Sequence, residues 1–239
     1  MSLLQNTMAK SGGDFYNGVA TQSLRFDDGS SAYLTRTPSS AGNRRTFTFS
    51  AWIKRGSSLG STDKVIFDAG TGNAADFRIR FSDTNFFDLV SYNGSSYDFN
   101  IRTNQVFRDI SAWYHIVVAF DTTQGTAANR IKVYVNGTQV TSFSIATYPS
   151  ENFQGFINST EAHAIGKYTW ADGAYFDDYM AEVNFIDGTA LAPSSFGETK
   201  NGIWIPIDTS GLTFGTNGFR LKFDQVGVGT ASTSTIGAD

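Results

Sequence analysis

Cleavage of a glycosidic bond needs two carboxyl groups flanking it, and a sandwich strand supplies them in a run such as Glu-x-Asp-x-x-Glu. The sequence contains only Glu151, Glu161, Glu182 and Glu198 as glutamates, and none stands in such a run. A nucleophilic triad needs a histidine base beside a serine and an acid. The two histidines, His115 in WYHIVVAF and His163 in AHAIG, lie in β-like text and read as sheet residues with satisfied rings. They show no HxH or HxxxH spacing for a metal. With no cysteine in the chain, thiolate chemistry and disulfides are excluded. Asp177 and Asp178, close behind Asp172-Gly173, offer the hard oxygens that calcium takes. The competing reading, shared by Asp27-Asp28-Gly29, is a turn whose Asp side chains bond their own backbone. The segment Lys167–Tyr175 is the best place for a ligand, because Tyr168, Trp170 and Tyr175 offer aromatic faces beside Asp172. Trp170 as a lid on one end of the fold, or as a contact to another subunit, stands beside that reading with equal weight. Tyr92, Tyr97 and Tyr148 are weaker versions of the same idea.

These residues need a scaffold, and composition says which kind. Of 239 residues, 40% are hydrophobic and 15% aromatic against 17% charged, enough apolar mass for a sizeable core. The 21 Phe and 24 Gly suit aromatic-filled strands broken by turns. Short apolar or alternating runs recur roughly every 8–12 residues from Ser23 onward, the spacing of an all-β sandwich. In TFTFSAWIK, Phe47, Phe49, Ala51 and Ile53 share one face, which predicts a half-buried strand with Trp52 on its more polar side. Asn136-Gly137 closes a two-residue hairpin inside RIKVYVNGTQV. ALAPSSFGE supports at most a short helical turn. The sequence divides into an arm (1–20), one antiparallel two-sheet jelly-roll sandwich (21–225) and a Gly/Ser/Thr-rich tail or linker (226–239). Scattered basic residues and a net charge of −4 argue against nucleic acid. No apolar run of about 18 residues suggests membrane insertion, and no leader is readable.

Four stretches resemble the laminin-G-like branch of the concanavalin A-like lectins and glucanases: SLRFDDGSSAYLTRT, TFTFSAWIKRG, WYHIVVAFD with KVYVNGTQV, and AIGKYTWADGAYFDDYMAEVNFIDGTAL. Together they span about residues 23–197. The closing strand departs from the family pattern, reading Met180-Ala181-Glu182-Val183 where an Ile-Asp-Glu/Asp-Val run is common, so one acid is absent. FRLKFDQ and IPIDTSGLTFGTNGF look similar to laminin-G-like domains of phage and marine viral structural proteins. The resemblance implies a non-enzymatic virion component of a bacteriophage-like virus, on tail, fibre or capsid, that contacts host-surface glycans. Its expected partners are other virion proteins or further copies of itself. The alternative is a carbohydrate-binding lectin or adhesin domain of a bacterial surface protein. A hydrolase or lyase with an unfamiliar active site is the third reading.

Overall fold

Period-two alternation dictates what the strands bury. The computed structural model describes residues 17–224 other than 57–58, 61 and 73–74. Most of the expected arm and the whole expected tail lie outside the described residues. One seven-stranded antiparallel sheet, sheet A, runs in the order β1 (Leu24–Arg25), β13 (Tyr179–Asp187), β3 (Thr46–Lys54), β8 (Trp113–Asp121), β9 (Ile131–Val135), β10 (Thr138–Gln139), and β16 (Phe219–Leu221) also pairs with β13. The other, sheet B, also has seven strands: β11 (Phe143–Thr147), β7 (Tyr97–Val106), β6 (Phe86–Asn93), β5 (Ala75–Phe81), β4 (Lys64–Gly70), β12 (Ala162–Ile165), β2 (Leu34–Arg36). A hairpin of β14 (Gly197–Lys200) and β15 (Ile203–Pro206) stands apart. This is the two-sheet sandwich expected from the sequence.

The inner faces meet in a phenylalanine-rich core. Phe47 stacks on Phe120 at 4.6 Å and Phe49 on Phe67 at 5.3 Å, while Phe77 meets Phe99 edge-on at 5.1 Å. Rings of this size carry most of the buried apolar area. The Asn136-Gly137 hairpin forms between β9 and β10 with φ of 48° and 79°, the left-handed pair that a type I′ turn demands. The Pro193 segment makes one 3₁₀ turn, Pro193–Ser195, as its sequence suggested.

The half-buried reading of TFTFSAWIK needs correction. Phe47 to Ile53 are buried on both faces, Trp52 included at 2% exposure. The outer face of sheet A is roofed by the segment 189–214, whose Leu191, Phe196, Leu212 and Phe214 pack on Val117 and Ile186. Thr48 accepts from the Leu191 N–H and donates to the Thr189 carbonyl, both at 2.7 Å, which ties the roof to the sheet. His115 lies under it, stacked on Trp52 at 4.6 Å. Its Nδ1 accepts from Trp204 Nε1 at 2.9 Å, so Nε2–H faces Ser50 Oγ, also at 2.9 Å. A ring so committed is a structural element, and burial pushes its pKa down to about 3.

Candidate functional site

Sheet B exposes a different outer face. In β5 the inward Phe77, Ile79 and Phe81 alternate with Asp76, Arg78 and Arg80, all three on the opposite face. Register then places Asp68 of β4 opposite Arg78, and Val90 of β6 opposite both Arg78 and Asn100. A neighbouring row holds Arg80, Asp88 and Arg102 on three successive strands. Arg102 grips Asp88 with two bonds, Nε to Oδ1 at 2.8 Å and a terminal nitrogen to Oδ2 at 2.7 Å. Arg80 reaches the same carboxylate at 3.3 Å and also contacts Asp63 and the Tyr168 hydroxyl.

The Lys167–Tyr175 loop is moored on this face by side-chain hydrogen bonds beyond the one from Arg80 to Tyr168. Asp68 Oδ2 accepts from the Thr169 N–H at 2.6 Å and from its hydroxyl at 2.7 Å. Asp76 Oδ2 accepts from Trp170 Nε1 at 2.8 Å, and Asp63 accepts from the Tyr168 hydroxyl at 2.7 Å. Trp170 then stacks on Tyr168 with ring centroids 5.2 Å apart. A half-buried indole held at its nitrogen and along one face can turn only its remaining surface outward. Tyr92 stands opposite Asp76 across β5 and β6, so indole and phenol belong to one row, and the half-buried Asn100 and Arg102 stand in the next two rows beside it.

Beneath the loop the polar groups are incompletely paired. Among the described residues, the buried side-chain atoms without a hydrogen-bond partner are Asp68 Oδ1, Asp76 Oδ1, Arg78 Nε, Arg80 Nε and Asn100 Oδ1, all on this face. Burial and the Asp76 charge push the Asp68 carboxyl up to about 8. Asp76 is raised as well, mainly by burial, while the Arg78 guanidinium and the bond from Trp170 Nε1 hold it down. A proton retained on Asp68 relieves the repulsion between the two carboxyls.

The loop's four predicted contact residues fall into two groups. Tyr168 is buried at 8% exposure and serves as the floor under Trp170 instead of a surface contact. Asp172 and Tyr175 lie with Lys167 at the outer edge: Lys167 Nζ is 3.0 Å from Asp172 and 4.5 Å above the exposed Tyr33 ring. Tyr33, a residue the sequence reading passed over, faces Tyr175 at 6.4 Å. Of the weaker candidates, Tyr97 is exposed beside Tyr92, whereas Tyr148 packs against the core.

The Asp177–Asp178 pair does not hold together as a metal site. Asp178 turns inward, where Arg55 Nε binds it at 2.8 Å, and both side chains are essentially unexposed. Asp177, just ahead of β13, faces Asp27 and Asp28 instead, with ligand atoms within 4.8 Å of one another. Arg25 lies 3.5 Å from Asp177 and Lys64 2.8 Å from Asp28. Arg25 also lies 3.8 Å from Asp27, so all three carboxylates are matched by cations and the donor set does not suit calcium, which seeks six or more oxygens. Glu182 sits in a β13 bulge at φ 46° and is bound by Arg220 at 2.9 Å. His163 accepts from the Asn158 N–H at 2.8 Å and donates to the Glu161 carbonyl at 2.8 Å, so it remains a neutral structural ring.

No curated protein matches the sequence. Among solved structures, a heptameric SAP-like pentraxin from Limulus polyphemus is 18% identical, with 73% of this chain and 75% of that chain covered at a TM-score of 0.44. A botulinum neurotoxin mosaic serotype C/D receptor-binding domain is 11% identical, with coverage of 76% and 41% and a TM-score of 0.49. A tailspike protein from an Escherichia coli O157:H7 bacteriophage is 13% identical, with coverage of 72% and 23% and a TM-score of 0.48. The chain thus spans less than half of the latter two proteins. The family model described as the concanavalin A-like lectin/glucanases superfamily matches residues 28–194. With that match over more than half its length and two antiparallel seven-stranded sheets behind it, the chain belongs to the concanavalin A-like lectin/glucanases superfamily, in its laminin-G-type branch.

Proposed function

We propose that the chain is a non-enzymatic glycan-binding module whose contact surface is the outer face of sheet B, and that it acts as a surface component of a bacteriophage-like virion. The observation that carries the binding reading is the immobilised Trp170, bonded to Asp76 at 2.8 Å and backed by Tyr168. A fixed aromatic plane binds the C–H face of a pyranose with little loss of side-chain entropy. The neighbouring Tyr92, Asn100 and Arg102 add donors and acceptors for hydroxyls. Asp68 and Asp76 support the platform: both are fully buried, whereas hydrolytic carboxyls must flank the scissile bond. The virion setting rests on the resemblance of the C-terminal stretch to phage and marine viral structural proteins, with residues 1–20 as the assembly arm. Light scattering of the chain with and without those residues tests the arm; a monomer in both cases overturns it.

The binding test is a glycan array probed with the wild type and Trp170→Ala. Loss of the array signal supports the surface, and an unchanged signal removes it. Turnover of any polysaccharide on a panel, abolished by Asp68→Asn or Asp76→Asn, would overturn the non-enzymatic reading.

A further inference from the structure

A second site of different chemistry lies where the sandwich edges meet. Between β2 at the rim of sheet B and β16 on sheet A runs a cavity of about 280 Å³. Leu34, Phe67, Ile165, Phe185, Phe219 and Leu221 are its large apolar lining residues. The polar groups at its margin are already engaged: Asn217 donates to Ser40 and Asn158, and His163 uses both ring nitrogens. Burial lowers the His163 pKa to about 4, so this wall carries no charge at neutral pH. Arg36 is the exception among the described lining residues. It is exposed at the rim, where one terminal nitrogen donates to the Asn217 carbonyl at 3.0 Å. A hydroxylated sugar finds almost no open donor or acceptor inside such walls, so the sheet B ligand class does not fit here.

We propose that this cavity binds a single aliphatic chain bearing an anionic head, with the chain between the sheets and the head on Arg36. An apolar cavity of about 150 Å³ accommodates benzene, so the volume here corresponds to a chain on the order of ten carbons. A guanidinium offers a carboxylate a paired hydrogen bond that an alcohol or ammonium head cannot match. The site is separate from the Trp170 platform and does not depend on it.

Isothermal titration with decanoate, decanol and decyltrimethylammonium, each below its micelle concentration, tests the assignment. Decanoate is expected to bind saturably at one site, decanol at least about fivefold more weakly and the ammonium not at all. Leu34→Trp and Leu221→Trp place an indole in the cavity from opposite sheets, and each is expected to weaken decanoate at least tenfold. Arg36→Ala is expected to erase the preference of decanoate over decanol, and Trp170→Ala to change nothing. No saturable binding by any of the three probes, or undiminished decanoate binding in a folded Leu34→Trp or Leu221→Trp protein, overturns the site. A preference for decanoate that survives Arg36→Ala overturns the role of Arg36.

Discussion

The two outer faces of this sandwich are built from the same alternating strands yet have opposite fates. On sheet A the outward residues Thr48, Ser50, Trp52 and His115 are roofed by the chain's own 189–214 segment, and Thr48 and His115 bond to that roof while Ser50 bonds to His115. On sheet B the outward Asp68, Asp76, Arg78, Arg80 and Asn100 each keep a buried polar atom unpaired. Unpaired buried groups cost stability, and on the function proposed above their concentration on one face is a trade of stability for recognition. The sheet A face holds the fold, and the sheet B face is the one proposed to meet the ligand.

The comparison makes its strongest demand on Trp204. Truncation to Ala opens the roof, strips His115 of its donor and is expected to cost about 3 kcal/mol in urea unfolding, with glycan binding retained by the fraction still folded. If binding disappears in the folded variant, the faces are not independent. Trp170→Ala should do the reverse, weakening glycan binding tenfold or more while costing about 1 kcal/mol of stability. Equal losses in both assays would erase the distinction.

Titration sharpens the contrast. The unfolded Asp68 releases its proton near its ordinary value, while the folded carboxyl keeps it until about 8. Between roughly pH 4 and 8 the folded state therefore binds the extra proton, and this group's contribution to stability falls as pH rises. His115 works in the opposite sense: its folded pKa is about 3, so its contribution is lost as pH falls from roughly 6.5 toward that value. Asp68→Asn, which mimics the protonated acid, is expected to be more stable than the wild type at pH 8.5 by at least about 1 kcal/mol, with the gap closing toward pH 4. A constant gap across urea titrations at several pH values would show that the Asp68–Asp76 pair is not what titrates. The smallest effect belongs to Asp172→Ala at the exposed outer edge, where the unfolding midpoint should not move, because the Asp172 carboxylate is almost fully exposed and its pairing with Lys167 is screened by solvent.

How much of this the sequence disclosed depends on the range of the interaction. Asn136-Gly137 was readable because the turn's need for positive φ is satisfied by the two residues themselves. The strands, the Pro193 turn and the Trp170 loop were readable for the same local reason. Asp178 misled, since its partner Arg55 lies 123 residues away and only the fold brings them together. Trp52 misled likewise, because the roof that buries it comes from the far end of the chain. The polar platform carried one overlooked local sign: Asp76, Arg78 and Arg80 on alternate positions of ADFRIRF place three charges on the back of a core strand. What they bind, and which of their atoms stay unpaired, depended on register with β4, β6 and the loop.

The pairing of the first and last described strands with one neighbour has a mechanical consequence. β1 bonds to β13 at Tyr179 and Met180, and β16 bonds to the same strand from Val183 to Phe185. Tension applied between the two ends of this domain enters through β13 and is carried first by the ladders of sheet A. The platform strands β4 to β7 lie in the other sheet, outside that line of force. A ligand gripped on sheet B would therefore be held by a surface that stays in shape while the opposite sheet takes the strain.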